Sequence, residues 1–277
     1  ALRIQASSAL ASSDLGDAES LYDAARAGSA SVEDEIGVGQ AVRGLGDVAF
    51  WRGDKAKASA LYVEVGRIFK DRGKHTDVAL NLWNRGYVEI ERGQLKEAKR
   101  LFVEMRKQCR AARDRLGEAN AENALGELLR RLGKLDEAEE HYRRATRIAQ
   151  KSGLSRRWTF RINQAHIRVL RGDVNGGKEI ALELLQSNAS QEPLIASSCW
   201  WIVALDAATR ADLTTWDRAC ASAVELGTRG VVEDDMLTVA ESAGDAMKPH
   251  DPARAERAYG FVKVKRAAMT AGTSASS

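Results

Sequence analysis

Asparagines at positions 84, 123 and 163 recur at spacings of 39 and 40 residues. A side-chain amide both donates and accepts, so a row of them can grip the backbone of an extended segment whatever that segment's sequence. Arg130 and Arg131 stand between the second and third, and a guanidinium fork favours bidentate pairing with carboxylate or phosphate. This is the chemistry of binding. Catalytic chemistry is not assembled in the same way: there is no phosphate loop, no HExxH and no paired-cysteine motif, and the glycines of GVGQAVRGLG at 37–46 lack the spacing and preceding strand of a dinucleotide site. His75, His141, His166 and His250 are scattered, and Cys109, Cys199 and Cys220 are odd in number and far apart, which argues against a metal centre or disulfide framework and for a reducing compartment. The reading is of a chain with no catalytic residue, no metal site and no cofactor, and not of an enzyme.

The elements that must position these residues follow from a period. Tyr22, Tyr62, Phe102, Tyr142, Ala181, Cys220 and Tyr259 are separated by 40, 40, 40, 39, 39 and 39 residues. Four residues before each lies Ala18, Ala58, Ala98, Ala138, Gly177, Trp216 or Ala255, and nine before lies Ser13, Gly53, Gly93, Gly133, Gly172, Ala211 or His250. A fixed period of this length marks a stack of supersecondary units, each burying its apolar face against its neighbours. Residues 119–153 show the construction. Ala121, Ala124, Leu125, Leu128, Leu129 and Leu132 recur at helical spacing, Gly133 supplies a left-handed stop, and Leu135, Ala138, Tyr142, Ala145 and Ile148 form a second stripe. Gly126 and Ala138 are small where two antiparallel helices cross, which leaves a wedge for Tyr142.

Leu45-Gly46, Gly53, Ala58 and Tyr62 form a pattern that returns at Gly86, Gly93, Ala98 and Phe102, and again at Leu125-Gly126, Gly133, Ala138 and Tyr142. That pattern resembles the tetratricopeptide repeat. The later units depart from it, with Ala165, Ala204 and Ala243 as the small residue and Trp216 at the second-helix alanine. The period exceeds that of the common repeat, so both helices are expected to be long, as in the arrays it resembles in kinesin light chains and bacterial signalling proteins. The implied fold is all-α: a right-handed superhelical solenoid of about seven helix-turn-helix repeats. The units fall at about 1–28, 37–73, 77–117, 119–153, 158–188, 193–227 and 233–268, followed by a tail at 269–277 with no basis for order. Gly73, Gly117, Gly153 and Gly227 are expected where second helices stop, and Pro193 and Asp251-Pro252 where later helices start.

The resemblance also implies where a partner lies, in a concave groove lined by the first helices. Counting back from each turn glycine places Arg43, Asp47 and Trp51 there, then Trp83, Asn84 and Tyr87, then Asn120, Asn123, Glu127, Arg130 and Arg131, and then Asn163, His166 and Leu170. Asn84 and Asn163 occupy the position of the family's peptide clamp, with Asn123 displaced by one. Trp83 and Tyr87, as i,i+4 neighbours, read either as an anchor for an apolar side chain or as core. His166 reads as a lone polar contact.

Only 3 of 277 residues are proline, 44% are hydrophobic and 29% charged, which suits helices with one face packed and one solvated. Residues 91–171 carry 21 basic and 11 acidic side chains, against 3 and 8 in residues 1–50 and 10 and 15 in residues 172–277. The basic middle points to an acidic peptide, a carboxyl terminus or a phosphate-bearing partner; part of it is helix surface paired with itself, as Glu139 and Glu140 stand four residues from Arg143 and Arg144. Cys199-Trp200-Trp201-Ile202 with Trp216 is the densest apolar patch and reads as core, with a polar-faced capping helix at 253–268. No stretch approaches the ~18 apolar residues that span a bilayer, so no membrane insertion and a cytoplasmic location are expected. The absence of a starting Met suggests a fragment or a processed chain. The functional expectation is a non-catalytic, bacterial-type regulatory module that binds a peptide or protein segment, acidic in character. The alternatives are self-association as a homodimer and intramolecular regulation of a larger kinase or NTPase. Nucleic-acid binding is the weakest reading, because the pI of 8.8 is modest and the inner helices lack a base-stacking series.

Overall fold

In the computed structural model, which describes residues 2–12, 14–154, 157–228 and 234–274, the described residues form fourteen α-helices, one 3-10 turn and no strand. The helices pair in chain order: α1 (Leu2–Ala11) with α2 (Leu15–Ser31), α3 (Glu35–Trp51) with α4 (Lys55–Asp71), α5 (His75–Glu91) with α6 (Leu95–Ala111), and α7 (Arg115–Arg131) with α8 (Leu135–Lys151). Then follow α9 (Arg157–Leu170) with α10 (Val174–Leu185), α11 (Pro193–Thr209) with α12 (Leu213–Gly227), and α13 (Asp234–Met247) with α14 (Pro252–Ser274). Fourteen helices, the number that about seven helix-turn-helix repeats require, are present among the described residues. They divide into two compact units, Ala1–Leu128 and Leu129–Gly272. No helix among the described residues is long and apolar enough to cross a membrane.

From α2 to α8 every helix has 17 residues and starts twenty after the one before. Local backbone chemistry sets this rhythm. Each helix ends on a left-handed residue: Glu33, Gly53, Gly73, Gly93, Arg113, Gly133 and Gly153 all have φ between 56° and 80°. At Gly53 its amide bonds the Phe50 carbonyl and the Asp54 amide reaches back to that of Ala49, which satisfies carbonyls that the helix end would strand. The next residue then caps the following helix. Asp14, Asp34, Asp54, Asp114, Asp173, Asp212 and Asp251 each accept from an amide three residues on, at 2.8 to 3.0 Å. Gly117 is therefore not a second-helix stop. It is the third residue of α7, where a Cβ would come within 2.4 Å of the capping Asp114 carboxylate, and the stop it was expected to make falls to Arg113.

Ala211 holds the same left-handed place at φ 54° between α11 and α12. A Cβ in that region costs roughly 1–2 kcal/mol, and glycine gives back part of this through its freer unfolded chain. Ala211→Gly should therefore raise stability by about 0.5–1 kcal/mol, read as a higher urea midpoint with an unchanged slope.

The expected small-against-aromatic crossing is present. A Cβ on Gly46 would meet the Tyr62 ring at 2.7 Å, and one on Gly86 would meet Phe102 at 2.3 Å. In the last hairpin the small residue facing Tyr259 is Gly244, at 2.8 Å, one place beyond the Ala243 that the pattern selects. The N-terminal unit buries Tyr62, Phe69, Leu101, Phe102 and Leu125 between its helices. In the C-terminal unit Trp201, Ile202, Trp216, Leu237 and Phe261 share one continuous core. Helix α14 lays Ala255, Ala258, Phe261 and Val262 onto that core, exposes Glu256, Lys263 and Arg266, and ties Arg254 to Asp217 at 2.9 Å. It continues six residues past Ala268; of the segment beyond, residues 275–277 lie outside the described residues. Cys109, Cys199 and Cys220 are free and buried, and burial raises their thiol pKa values, that of Cys109 to about 12 and that of Cys220 to about 11, so none is a thiolate at neutral pH.

Candidate functional site

In the N-terminal unit the first-helix positions of the second and third hairpins come together. Asp47, in the middle of α3, accepts hydrogen bonds from the Tyr62 hydroxyl on α4 and from Asn84 Nδ2 on α5, the latter at 2.9 Å. Two acceptors cannot pair, so the carboxylate fixes the orientation of the Asn84 amide: nitrogen toward Asp47, oxygen away. Arg43, one turn earlier on α3, reaches Asp77 on α5 at 3.5 Å and stacks over Phe69 with its guanidinium 5.9 Å from the ring centre. Burial raises the Asp47 pKa, against the lowering effect of the Tyr62 bond, the Arg43 charge and the Asn84 amide. The Tyr62 pKa is raised strongly, first by burial and then by the Asp47 charge, so the hydroxyl remains a donor. Arg43, Asp47 and Asn84 all remain partly exposed.

Trp83 and Tyr87 meet edge to face, with centroids 5.6 Å apart, and Tyr87 meets Phe102 in the same way at 5.4 Å. Both flank the core around Phe102, Met105 and Leu125, and both keep part of their surface exposed, so one pair of rings serves packing and surface together. Asn120, Asn123 and Glu127 lie half-buried on α7. Trp51 points to solvent, with 61% of its surface exposed.

The C-terminal unit treats its predicted residues differently. Arg131 is exposed, but Arg130 pairs with Asp235 of α13 at 2.7 Å, with both side chains largely covered. Helix α13 also packs on α9. Asn163 and His166 of α9 are 8% and 2% exposed. Burial, and secondarily the Arg130 charge, lowers the His166 pKa from 6.5 to about 4. The imidazole is neutral at pH 7, and neither ring nitrogen has a protein hydrogen-bond partner among the described residues. The structure thus brings Arg43, Asp47 and Asn84 together, ties Arg130 to Asp235 of α13, buries Asn163 and His166, and leaves Arg131 at the surface.

Much of the basic middle is answered by carboxylates. Arg106 pairs with Glu122 at 3.0 Å, Arg110 and Arg115 with Glu118, Arg143 and Arg144 with Glu140, and Arg168 and Arg171 with Glu139. Glu118 and Glu122 are almost fully buried at 4% and 1%. The side chains of Arg156 and Arg157 lie outside the described residues. Sequence reasoning missed Tyr62, Asp77 and Asp235 as partners of the groove positions. The first was assigned only to packing, and no local signal pairs Arg130 with a residue so distant in sequence. Among the described residues no group of three His, Cys, Asp or Glu could hold a metal ion.

The second and third hairpins, with glycine at the turn, a small residue at the crossing and an aromatic opposite it, carry the tetratricopeptide pattern on an all-helical repeat fold. Residues 77–151 match the family model of the tetratricopeptide repeat. No curated protein matches it. Among solved structures it is similar to the apo form of RapI, at TM-score 0.73 and 14% identity over 97% of each chain. It is also similar to aspartyl phosphate phosphatase F from Bacillus subtilis, at TM-score 0.77 and 11% identity over 96% of this chain and 69% of that one. A Rap protein complexed with Competence and Sporulation Factor matches at TM-score 0.72 and 13% identity, over 99% of this chain and 75% of that one. At these identities the likeness is one of fold.

Proposed function

We propose that this protein is a regulatory binding module that holds a peptide or protein segment on the first-helix face of its N-terminal unit, through Arg43, Asp47 and Asn84, with Trp83 and Tyr87 beside them and Asn120 and Asn123 on the next first helix. The observation that carries this reading is the Asn84–Asp47 bond. It joins the first helices of two successive hairpins and sets a carboxylate and an oriented amide on a partly exposed surface, ready to meet the N–H and C=O groups of an extended chain. A similar fold, the Rap conjugation gene regulator of the plasmid pLS20, is in complex with the Phr* peptide, which supports a peptide as the ligand class. Asp47 and Asp77 favour N–H donors or positive charge here, so the acidic ligand suggested by Arg130 and Arg131 is not assigned to this face. His166 and Asn163 are covered in their unit, and Arg130 is held by Asp235.

Panning a displayed library of short peptides against the chain tests the proposal. Selected peptides should bind the Asp47→Ala/Asn84→Ala variant about tenfold or more weakly, while the far-UV melt of that variant keeps its shape. Peptides that bind both forms equally would remove the site from this face.

A further inference from the structure

A second place in the N-terminal unit carries ligand chemistry that the first-helix face does not use. A cavity of about 470 Å³ opens where α4, α5 and α6 meet, within the range of about 300–1,000 Å³ that small-molecule sites occupy. Helix α5 turns opposite faces to the two places: Val78, Asn81, Leu82 and Arg85 line the cavity, whereas Trp83, Asn84 and Tyr87 fall on the other side of the helical wheel. The floor is apolar, made by Val63, Val78, Leu82 and the fully buried Leu101.

The rim is cationic. Arg67, Lys70, Arg85 and Arg100 line it, against a single lining carboxylate, Glu104. Glu97 answers Arg85 and Arg100 together, at 2.9 and 2.7 Å, and Glu104 lies 3.6 Å from Lys107. No carboxylate among the described residues pairs with Arg67 or Lys70, so the excess positive charge rests on those two. Polar atoms at the wall are also unanswered. Asn81, 2% exposed, gives its Nδ2 to the Tyr62 carbonyl at 2.8 Å, but its Oδ1 and the Arg85 Nε, both buried, have no protein partner among the described residues. Buried groups of this kind mark either strain or a ligand's place.

We infer that this cavity binds an organic anion, a carboxylate, sulfonate or phosphate with an apolar body, whose charged head meets Arg67 and Lys70 and whose body lies on Val63, Leu82 and Leu101. Anilinonaphthalene sulfonate, titrated by fluorescence into the full chain, is the probe. Saturable one-site binding is expected, weakened about tenfold or more by Arg67→Glu/Lys70→Glu and comparably by Val63→Trp, which fills the floor without touching the charge. Asp47→Ala/Asn84→Ala should leave it unchanged, so this site and the proposed peptide face fail or stand separately. If the charge reversal misfolds by circular dichroism, Arg67→Gln/Lys70→Gln gives the same reading more gently. Binding insensitive to both the charge variants and Val63→Trp would place the dye elsewhere and overturn the site; sensitivity to Val63→Trp alone would make the cavity an apolar patch and overturn the anion assignment. Displacement of the dye by inorganic phosphate would support the anion-recognising rim, with phosphate-bearing compounds as its ligands.

Discussion

Trp216→Ala should cost about 3–5 kcal/mol, although it restores the alanine that the repeat pattern carries at this place. In the sixth hairpin the bulk has been transposed. The indole occupies the second-helix alanine position and Cys220 stands four residues on, where other hairpins carry an aromatic ring. Trp216 is 0% exposed, and Ala204, Ala207 and Ala208 of α11 are small and equally buried within the same core. Removing the ring leaves a void that its neighbours cannot fill without moving a helix. The buried indole nitrogen has no hydrogen-bond partner among the described residues, so the loss is one of packing. Trp216→Phe, which keeps most of the volume, should then cost under about 2 kcal/mol. Urea melts of both variants at neutral pH separate the cases. Equal losses would show that something other than volume holds this site together.

His166 gives the second large effect, and it appears only in acid. The folded chain keeps the imidazole pKa at about 4, against 6.5 for the ordinary group. Between those values the unfolded chain binds the extra proton and the folded one does not, so stability falls as pH drops from about 6.5 toward 4. The full difference amounts to about 3 kcal/mol. The charge acting on it is that of Arg130, which disfavours a second positive charge and is itself engaged by Asp235 at 2.7 Å. His166→Leu should have nearly the same stability as the parent at pH 7 and exceed it by about 2–3 kcal/mol at pH 4. Urea midpoints of the two proteins at those pH values make the comparison. Parallel pH profiles would mean that the ring takes up its proton in the folded state without penalty.

The periodic part of this architecture was legible because it is local. Gly53, Gly93, Gly133 and Gly172 announce left-handed turns within a few residues of chain, and the alternation of Ala58 with Tyr62, or Ala98 with Phe102, encodes a crossing between adjacent helices. The buried Trp201 and Trp216 were likewise visible as a dense apolar patch. Left-handed turns at Glu33, Arg113 and Ala211 escaped notice because those residue types rarely adopt such a φ, and the twenty-residue rhythm that holds them there becomes evident only once the helices are counted. Of the candidate site, the face shared by Arg43, Asp47 and Asn84 follows from helical register. The commitment of Asn84 to Asp47, and of Tyr62 to the same carboxylate, depends on how one hairpin leans on the next, and a one-dimensional pattern does not carry that angle.

The Arg130–Asp235 pair has a thermodynamic consequence. In a linear array each repeat touches only the next, so its folding resembles a one-dimensional Ising chain, and the ends open first at the cost of a single interface. A bond between residues 105 apart, from the fourth hairpin to the seventh, joins that chain into a loop within the C-terminal unit. Helix α13 cannot detach without also breaking a largely desolvated contact to a helix three hairpins away. Opening therefore becomes a collective event of the unit rather than fraying at its end, and a signal that separates the pair would release several hairpins at once.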